Sequence, residues 1–343
     1  MEVPDGIDSG EIEKWFEANV SSAELPLRFQ KISGGHSNLT YEVADSNNRR
    51  WALRRPPLGK RLGSAHDMGR EHKVVSALAG TEVPVAPIAG YSEDDSVNGA
   101  PFYVMEFVEG PILRNQAEAE QHFDDAERAA IGERVADTLV DIHAVDVDSV
   151  GLGDLGKKED YVARQLHRWQ KQWVGSKTRE LPVVDEVHDR LAARIPEQGP
   201  ATIVHGDYRL DNMILTDSGE VAAVVDWELC TLGDPLADVG LLFVYWAQPG
   251  DQMTALMQPP TLADGFPERE ALMARYAERS GRDLGELDFY VALARWKLAI
   301  ILEGVYSRYA AGQYGKTDQG IDEFAKGVED LANAAAEAEA RLG

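Results

Sequence analysis

The decapeptide Ile203-Val-His-Gly-Asp-Tyr-Arg-Leu-Asp-Asn212 is the most informative stretch of this sequence, and Asp226-Trp-Glu228 begins fourteen residues after it. The first stretch places an amide, Asn212, five residues after a carboxylate, Asp207. A hairpin predicted at 213–225 leads to the second carboxylate, Asp226. Metal-assisted phosphoryl transfer needs such a set: one carboxylate orients a hydroxyl and accepts its proton, while the amide and the other carboxylate bind Mg²⁺ on ATP. We therefore predict Asp207 as the catalytic base, and Asn212 and Asp226 as metal ligands.

The N-terminal part of the chain contains a turn that could cover phosphates. Strands are predicted over 28–32 and 40–43, on either side of Ser33-Gly-Gly-His-Ser-Asn38. Backbone amides in a glycine-containing turn can surround an anion. The predicted nucleotide-binding residues of this turn are Gly34, Gly35, His36, Ser37 and Asn38.

A basic residue and an acidic residue follow at a regular spacing. Arg54 ends a third predicted strand, and Glu71 lies seventeen residues later on a helix predicted over 67–79. We predict that Arg54 contacts the phosphates and that Glu71 holds it by an ion pair. Arg55 is the alternative, because only one of two adjacent strand side chains can face the cleft. Arg54 is favoured because its position in the order of motifs is the one expected of the phosphate-binding residue.

The pattern changes near Glu109-Gly-Pro111 from strand-like to helical. The apolar strand predicted over 101–108 ends there, and the backbone of Glu106 and Val108 is the predicted adenine-binding hinge. Helices are predicted over 124–144, 160–174, 183–195, 287–311 and 321–342. We therefore predict an α+β protein with a protein-kinase-like two-lobe fold, comprising a small β-rich lobe (1–108) and a larger, mostly helical lobe (109–343).

These motifs together resemble the aminoglycoside phosphotransferase and choline kinase superfamily. Gly35-His-Ser-Asn38, Leu53-Arg-Arg-Pro-Pro57 and Asp226-Trp-Glu-Leu-Cys-Thr-Leu-Gly-Asp-Pro-Leu-Ala-Asp238 are most similar to the kinase-like domains associated with acyl-CoA dehydrogenases. The resemblance covers about residues 28 to 245. It implies ATP- and Mg²⁺-dependent phosphorylation of a hydroxyl on a small molecule. Many members have lysine at the position of Arg54; arginine keeps the charge and can bind phosphate with two donors.

Two residues near the motif have more than one interpretation. Glu228 could bind the second metal ion or contact the substrate, or it could cap the next helix. Arg209 is predicted to stabilise charge on the transferred phosphoryl group, with a salt bridge to Asp211 as the alternative. The residues predicted to be structural are His143, His205, Trp227, Asp234 and Asp238, and Cys230 is predicted to be inert.

Composition limits the partners. The 343 residues carry a formal charge of −25, which opposes binding to nucleic acid phosphates. Residues 1–108 hold 11 basic and 16 acidic side chains, against 23 and 43 in the remainder. A basic island at 49–61 holds six of those 11; it is either a solvated surface or a site for an anion.

The acceptor is left open between two classes. A hydroxyacid or hydroxyacyl thioester is favoured by the motif match, and the basic island could then bind its anionic group. A polycationic aminoglycoside is favoured by the acidic larger lobe. A nucleotide-binding pseudokinase is a third hypothesis, opposed by the intact set of Asp207, Asn212 and Asp226.

The remaining expectations concern location and assembly. One cysteine excludes an internal disulfide, and the acidic N-terminus has no apolar segment typical of a secretory signal. The apolar run 239–247 is shorter than the roughly 20 residues of a membrane span. We expect a cytoplasmic protein with a small-molecule substrate and no membrane partner; the oligomeric state is not predicted.

Overall fold

The computed structural model describes residues 3–32, 38–58, 67–251, 259–311 and 321–342. Its N-terminal part is an antiparallel sheet in the order β1-β2-β3-β5-β4, with helices beside it. The elements are α1 (Ser9–Asn19), β1 (Arg28–Lys31), β2 (Leu39–Ala44), β3 (Arg50–Arg55), α2 (Met68–Leu78), β4 (Ile88–Ser92), α3 (Asp95–Asn98) and β5 (Phe102–Glu106). The strands and helices predicted in this part are present, each within a few residues of its predicted bounds.

Strand β4 was not predicted. Its sequence, Ile-Ala-Gly-Tyr-Ser, lacks the alternation of a half-buried strand, and its register with β5 shifts between Ile88 and Gly90. The strand forms because β5 offers it a paired edge, which is a tertiary effect. The apolar face of the sheet is closed by α1, whose Phe16 packs edge-on against Trp51 of β3 with ring centroids 5.6 Å apart.

The C-terminal part is mainly helical. Its helices are α4 (Gln116–His122), α5 (Asp125–Ala144), α6 (Tyr161–Ser176), α7 (Pro182–Ala193), α8 (Leu236–Tyr245), α9 (Arg269–Ser280), α10 (Leu287–Ala310) and α11 (Ile321–Ala340). Helix α5 begins at a capping box, in which Asp124 and Glu127 satisfy each other's backbone amides. Helices α8 and α11 both pack along α10.

Two small antiparallel sheets hold the central motif. Strands β6 (Thr202–Val204) and β9 (Thr231–Gly233) pair, and β7 (Met213–Leu215) pairs with β8 (Val221–Val224) as the predicted hairpin. The β6–β9 pair was not predicted, because each strand has only three residues and its partner lies far away in the sequence. Residues 205–212 therefore leave one small sheet and enter the other, which anchors both ends of the loop between them.

The connection between the two parts passes close to this hairpin. Gly110 has φ +152°, and a Cβ atom there would lie 1.7 Å from the carbonyl oxygen of Leu215. Only glycine allows that approach. The next residue, Pro111, accepts a hydrogen bond from the Leu215 amide at 2.9 Å. The predicted hinge is thus packed directly against the strand that follows the central motif.

Candidate active site

The loop 205–212 is held by a fully buried carboxylate. Asp238, in the first turn of α8, accepts hydrogen bonds from the backbone amides of His205 (2.6 Å) and Gly206 (2.8 Å). Burial raises the pKa of Asp238, but its hydrogen bonds from His143 and Gly206 and the nearby imidazoles outweigh burial, and the net pKa is lowered. Asp238 is therefore a charged support for the loop.

The loop also needs a residue with positive φ. Gly206 has φ +85°, and a Cβ atom there would lie 3.0 Å from Cβ of Leu229. Glycine adopts this conformation without strain. The ring of His205 bonds the Val225 carbonyl (3.1 Å) and the Asp207 amide (3.2 Å), which is the structural role expected of it. The Gly206 carbonyl accepts a hydrogen bond from Lys297 of α10 at 2.8 Å.

The structure brings Asp207 and Asn212 together. The Asn212 Nδ2 atom donates to the Asp207 carbonyl (2.8 Å) and to Asp207 Oδ2 (3.0 Å). The other carboxylate oxygen, Oδ1, accepts a hydrogen bond from the phenol of Tyr245 at 2.8 Å. Tyr245 was not predicted; the signal in the sequence was a phenol within the apolar run at the end of α8.

Arg54 reaches across from the sheet to the same cleft. Its Nε atom lies 3.0 Å from the Glu71 carboxylate, so the predicted ion pair is formed. Its NH2 group forms a second, short ion pair with Asp226 and lies 3.9 Å from Glu228. Burial lowers the pKa of Arg54, but these carboxylates outweigh burial and raise it, so the guanidinium stays charged.

Arg55 points to the opposite face of β3. It is buried, and its guanidinium donates to the carbonyl of Asn98 (2.9 Å) and to that of Gly6. Of the two adjacent arginines, Arg54 is therefore the one in the cleft, as strand alternation requires.

Glu228 and Asn38 meet across the cleft. The Asn38 Nδ2 atom donates to Glu228 Oε2 at 2.9 Å, which joins the start of β2 to the segment after Asp226. Gly34, Gly35, His36 and Ser37 lie outside the described residues. In the hinge, the Glu106 amide donates to the Pro87 carbonyl at 2.8 Å. The Glu106 amide is therefore engaged within the protein, and adenine binding by the backbone of Glu106 and Val108 stays a prediction.

Arg209 forms the salt bridge to Asp211 that was the alternative to a role at the phosphoryl group. Its guanidinium forms a short ion pair with Asp211 and lies over the ring of Tyr245, 4.8 Å from the centroid. Its Nε atom is buried and has no hydrogen-bond partner among the described residues. A role of Arg209 at the transferred phosphoryl group remains a prediction.

The residues present fit a magnesium ion that arrives with a nucleotide. Because the Asn212 Nδ2 atom faces Asp207, its amide oxygen is turned away from that carboxylate. Asp226 has φ +67° and supplies carboxylate oxygens. Among the described residues, no group of three or more His, Cys, Asp and Glu side chains is arranged to hold a metal. Mg²⁺ is usually bound by one or two protein oxygens, and phosphates and water complete its coordination shell.

A cavity of about 730 Å³ opens beside the loop 205–212. Arg209, Asp211 and Tyr245 form its end nearest to Asp207, and parts of α10 and α11 form its far wall. Among its described lining residues, five are arginines and four are carboxylates, which differs sharply from the acidic excess of this part of the chain. The volume is that of an ordinary small-molecule site.

The basic island contributes little free charge. Arg49 pairs with Glu106 (2.8 Å), Arg50 with Glu42 (3.5 Å), and Arg54 and Arg55 are engaged as described. Lys60 and Arg61 lie outside the described residues. The hypothesis that this island binds an anionic acceptor therefore stays a prediction; the cationic side chains that line the cavity come from elsewhere in the chain.

The fold and this cleft define a phosphotransferase of the protein-kinase-like class. The chain belongs to the phosphotransferase enzyme family, whose model matches residues 28–290. It is 36% identical over 304 residues to mouse acyl-CoA dehydrogenase family member 11 and 35% identical over 292 residues to family member 10 of the same species. These matches cover 87% and 84% of this chain but 38% and 27% of the relatives, so the chain spans less than two-fifths of their length.

A solved structure supports the same assignment. A Ralstonia eutropha protein with the provisional description aminoglycoside phosphotransferase is 33% identical, with a TM-score of 0.83 over 97% of this chain and 98% of that one. The predicted α+β kinase-like fold and the resemblance to the acyl-CoA dehydrogenase-associated branch are thereby confirmed. No helix among the described residues is long and apolar enough to span a membrane.

Proposed function

We propose that this chain transfers the γ-phosphoryl group of ATP to a hydroxyl of a hydroxyacid or hydroxyacyl thioester, with Mg²⁺. The observation that carries the proposal is that Arg54, Glu71 and Asp226 meet in the cleft where the loop presents Asp207 and Asn212. These groups come from distant parts of the chain, and no packing requirement of an inert protein explains their convergence.

The nucleotide would lie between the two parts of the molecule. The hinge at 106–108 would bind adenine, and Arg54, held by Glu71, would contact the phosphates. Residues 34–38 would cover the phosphates from the turn before β2. Asn212 and Asp226, with Glu228 as a further candidate, would hold Mg²⁺, which neutralises phosphate charge when bound.

Asp207 would act on the acceptor. Its carboxylate would accept a hydrogen bond from the substrate hydroxyl and direct that oxygen in line with the γ-phosphorus. As the new P–O bond forms, the bond to the β-phosphate oxygen breaks, ADP leaves, and the hydroxyl proton passes to Asp207. The products are ADP and a phosphate monoester. Arg209 is proposed to stabilise the transferring group, after leaving Asp211.

Two observations support the acyl class of acceptor. The relatives that cover most of this chain bear the name acyl-CoA dehydrogenase family, and the cavity next to Asp207 combines arginines with apolar side chains. The aminoglycoside alternative rests on the four cavity carboxylates and on the description of the Ralstonia protein. The pseudokinase alternative requires that the complete set of Asp207, Asn212 and Asp226 serve no chemistry.

The test is ADP release from ATP and Mg²⁺ with hydroxyacids, hydroxyacyl-CoA thioesters and an aminoglycoside panel, with the product identified by ³¹P NMR. We expect turnover with the acyl class, abolished by Asp207→Asn and by EDTA. Turnover with aminoglycosides only would overturn the acceptor class. Nucleotide binding without turnover of any acceptor would favour the pseudokinase.

A further inference from the structure

The far wall of the cavity is amphiphilic. Along α10, Arg295, Leu298 and Leu302 line the cavity at spacings of three and four residues, which places them on one helix face. Along α11, Leu331 and Ala334 line it in the same manner. The wall therefore presents apolar side chains together with the guanidinium of Arg295 and the carboxylates of Asp330 and Glu337.

Most of the cavity carboxylates are already neutralised. Asp211 pairs with Arg209, Asp251 with Arg269, and Asp330 with Lys326. These pairs remove three of the four acidic groups that a cationic ligand would use. What a ligand would meet is thus set by the arginines that are not paired in this way.

Among the arginines that line the cavity, Arg295 is the one whose charge is least neutralised by nearby carboxylates. Its NH1 group donates to the Ala334 carbonyl at 3.0 Å, and no carboxylate of the described residues lies within 4 Å of it. A guanidinium carries five N–H donors, so most of them are left for a ligand. Burial lowers the pKa of Arg295, and the neighbouring charges of Arg341 and Arg269 lower it further; Asp251 and Glu337 oppose this without reversing it, so an added anion is favourable here.

We propose that Arg295 is the specificity residue of this cavity and binds a carboxylate or phosphate group of the acceptor. The proposal rests on the proposed function in one respect, that the acceptor occupies this cavity. Arg341, whose nearest carboxylate is Asp288 at 3.8 Å, would add a second cationic contact from the end of the chain. The apolar side chains of α10 and α11 would cover the hydrocarbon part of the same molecule.

The cavity should bind an anionic amphiphile better than a polycation. A ligand with an acidic group and an acyl chain gains a charge-assisted bond and buries apolar area at one wall. A polycationic sugar would meet like charge at Arg295 and find three of the four cavity carboxylates already paired. The shared chemistry is an oxyanion, which could belong to a free hydroxyacid or to the phosphates of coenzyme A.

The experiment compares Arg295→Gln, Arg295→Lys and a control, Arg279→Gln. Arg279 lies on α9, is half exposed and is not among the cavity-lining residues, so its loss changes the net charge equally. Three acceptors share one hydroxyacyl group: the free acid, the CoA thioester, and the uncharged N-acetylcysteamine thioester. Steady-state KM and kcat are measured for each, together with the melting temperature of each variant.

We expect Arg295→Gln to raise KM for the charged acceptors by about 10- to 100-fold and to change kcat little, because a hydrogen bond to a charged group is lost. Arg295→Lys should recover part of the affinity, and Arg279→Gln should match wild type. KM for the uncharged thioester should change less than about threefold. Loss confined to the free acid or to the CoA thioester identifies which oxyanion Arg295 binds. Equal effects on charged and uncharged acceptors, or none, would overturn the proposal.

A binding measurement separates this proposal from the proposed function. Calorimetric titration of wild type and Arg295→Gln with the CoA thioester, without nucleotide, needs no turnover. Binding that depends on Arg295 without any phosphorylation would refute the phosphotransfer to this class and leave the anion site standing. Phosphorylation that is independent of Arg295 would refute the anion site alone.

Discussion

The phenol of Tyr245 donates a hydrogen bond to Oδ1 of Asp207 across 2.8 Å. Burial raises the pKa of Tyr245 well above its usual value, and the Asp207 charge raises it further, so the phenol remains a donor. Asn212 occupies the other oxygen of the same carboxylate at 3.0 Å. Two donors, one from α8 and one from the loop, thus hold the candidate base in a single orientation.

Replacing Tyr245 with phenylalanine should lower kcat by about 5- to 50-fold, because the orientation of Asp207 loses one of its two supports. KM for ATP should change little, since phenylalanine keeps the ring over which Arg209 lies and removes the hydrogen bond to Asp207. Steady-state kinetics check this. The matched control is Tyr290→Phe, which removes an equivalent tyrosine–carboxylate bond, to Asp234 at 2.7 Å, away from the base. Equal losses of kcat in both variants would contradict a role for Tyr245.

Removing the charge of Arg54 should affect both stability and nucleotide binding. The Arg54 and Glu71 side chains are 13% and 2% exposed, so Arg54→Gln leaves a buried carboxylate without its cation. We expect a loss of about 3–5 kcal/mol in the free energy of unfolding, measured in urea, and a raised KM for ATP. Lys158→Gln breaks a surface pair with Asp148 and should cost less than about 1 kcal/mol. A similar small loss for both variants would refute the buried pair.

Alanine at position 206 should damage the loop more than backbone strain alone explains. Gly206 has φ +85°, and a Cβ atom would meet both the Cβ atom and the carbonyl of Leu229 at 3.0–3.1 Å. Gly281 has φ +68° with nothing near its Cβ position, so Gly281→Ala measures the strain by itself, about 1–2 kcal/mol. Gly206→Ala should lose at least as much stability and, in addition, lower kcat at least tenfold. Unchanged kcat in Gly206→Ala would show that the loop tolerates the shift.

The lowered pKa of the buried His143 should make the stability of the protein depend on pH. Burial lowers its pKa below 6.5, although Asp238 opposes this effect. The folded protein therefore takes up the proton less readily than the unfolded chain, and the stability that His143 contributes is present above about pH 6.5 and is lost as the pH falls. Between pH 6.5 and 5.5, wild type should lose up to about 1 kcal/mol more than His143→Gln. Parallel stability curves for the two proteins would contradict this.

Much of the candidate site could be predicted because its residues lie in short strings. Asp207 and Asn212 share one loop, and Asp226 follows across a hairpin, so local spacing was enough to relate them. The Arg54–Glu71 pair was predictable for a similar reason: a strand followed by one helix brings them together. A site built from residues close together in the sequence can be predicted from the pattern of residue types and their spacing.

Other features have no such pattern. Strand β4 forms because β5 offers it an edge, and the pairs β6–β9 and Tyr245–Asp207 join positions about 30 to 40 residues apart. The net charge was misleading for the same reason. It predicted a cavity attractive to cations, whereas the cavity is lined by arginines as well as carboxylates, among them Arg269 of α9, Arg295 of α10 and Arg341 just after α11.

The sequence by itself determined the family, the order of the elements and the residues available for phosphoryl transfer, because these depend on residue type and spacing along the chain. Only the tertiary structure decided that Arg54 rather than Arg55 faces the cleft, that Tyr245 bonds the candidate base Asp207, and that Arg295 lines the cavity without a carboxylate partner among the described residues. Charges and hydrogen bonds act through space over a few ångströms, and only folding sets those distances.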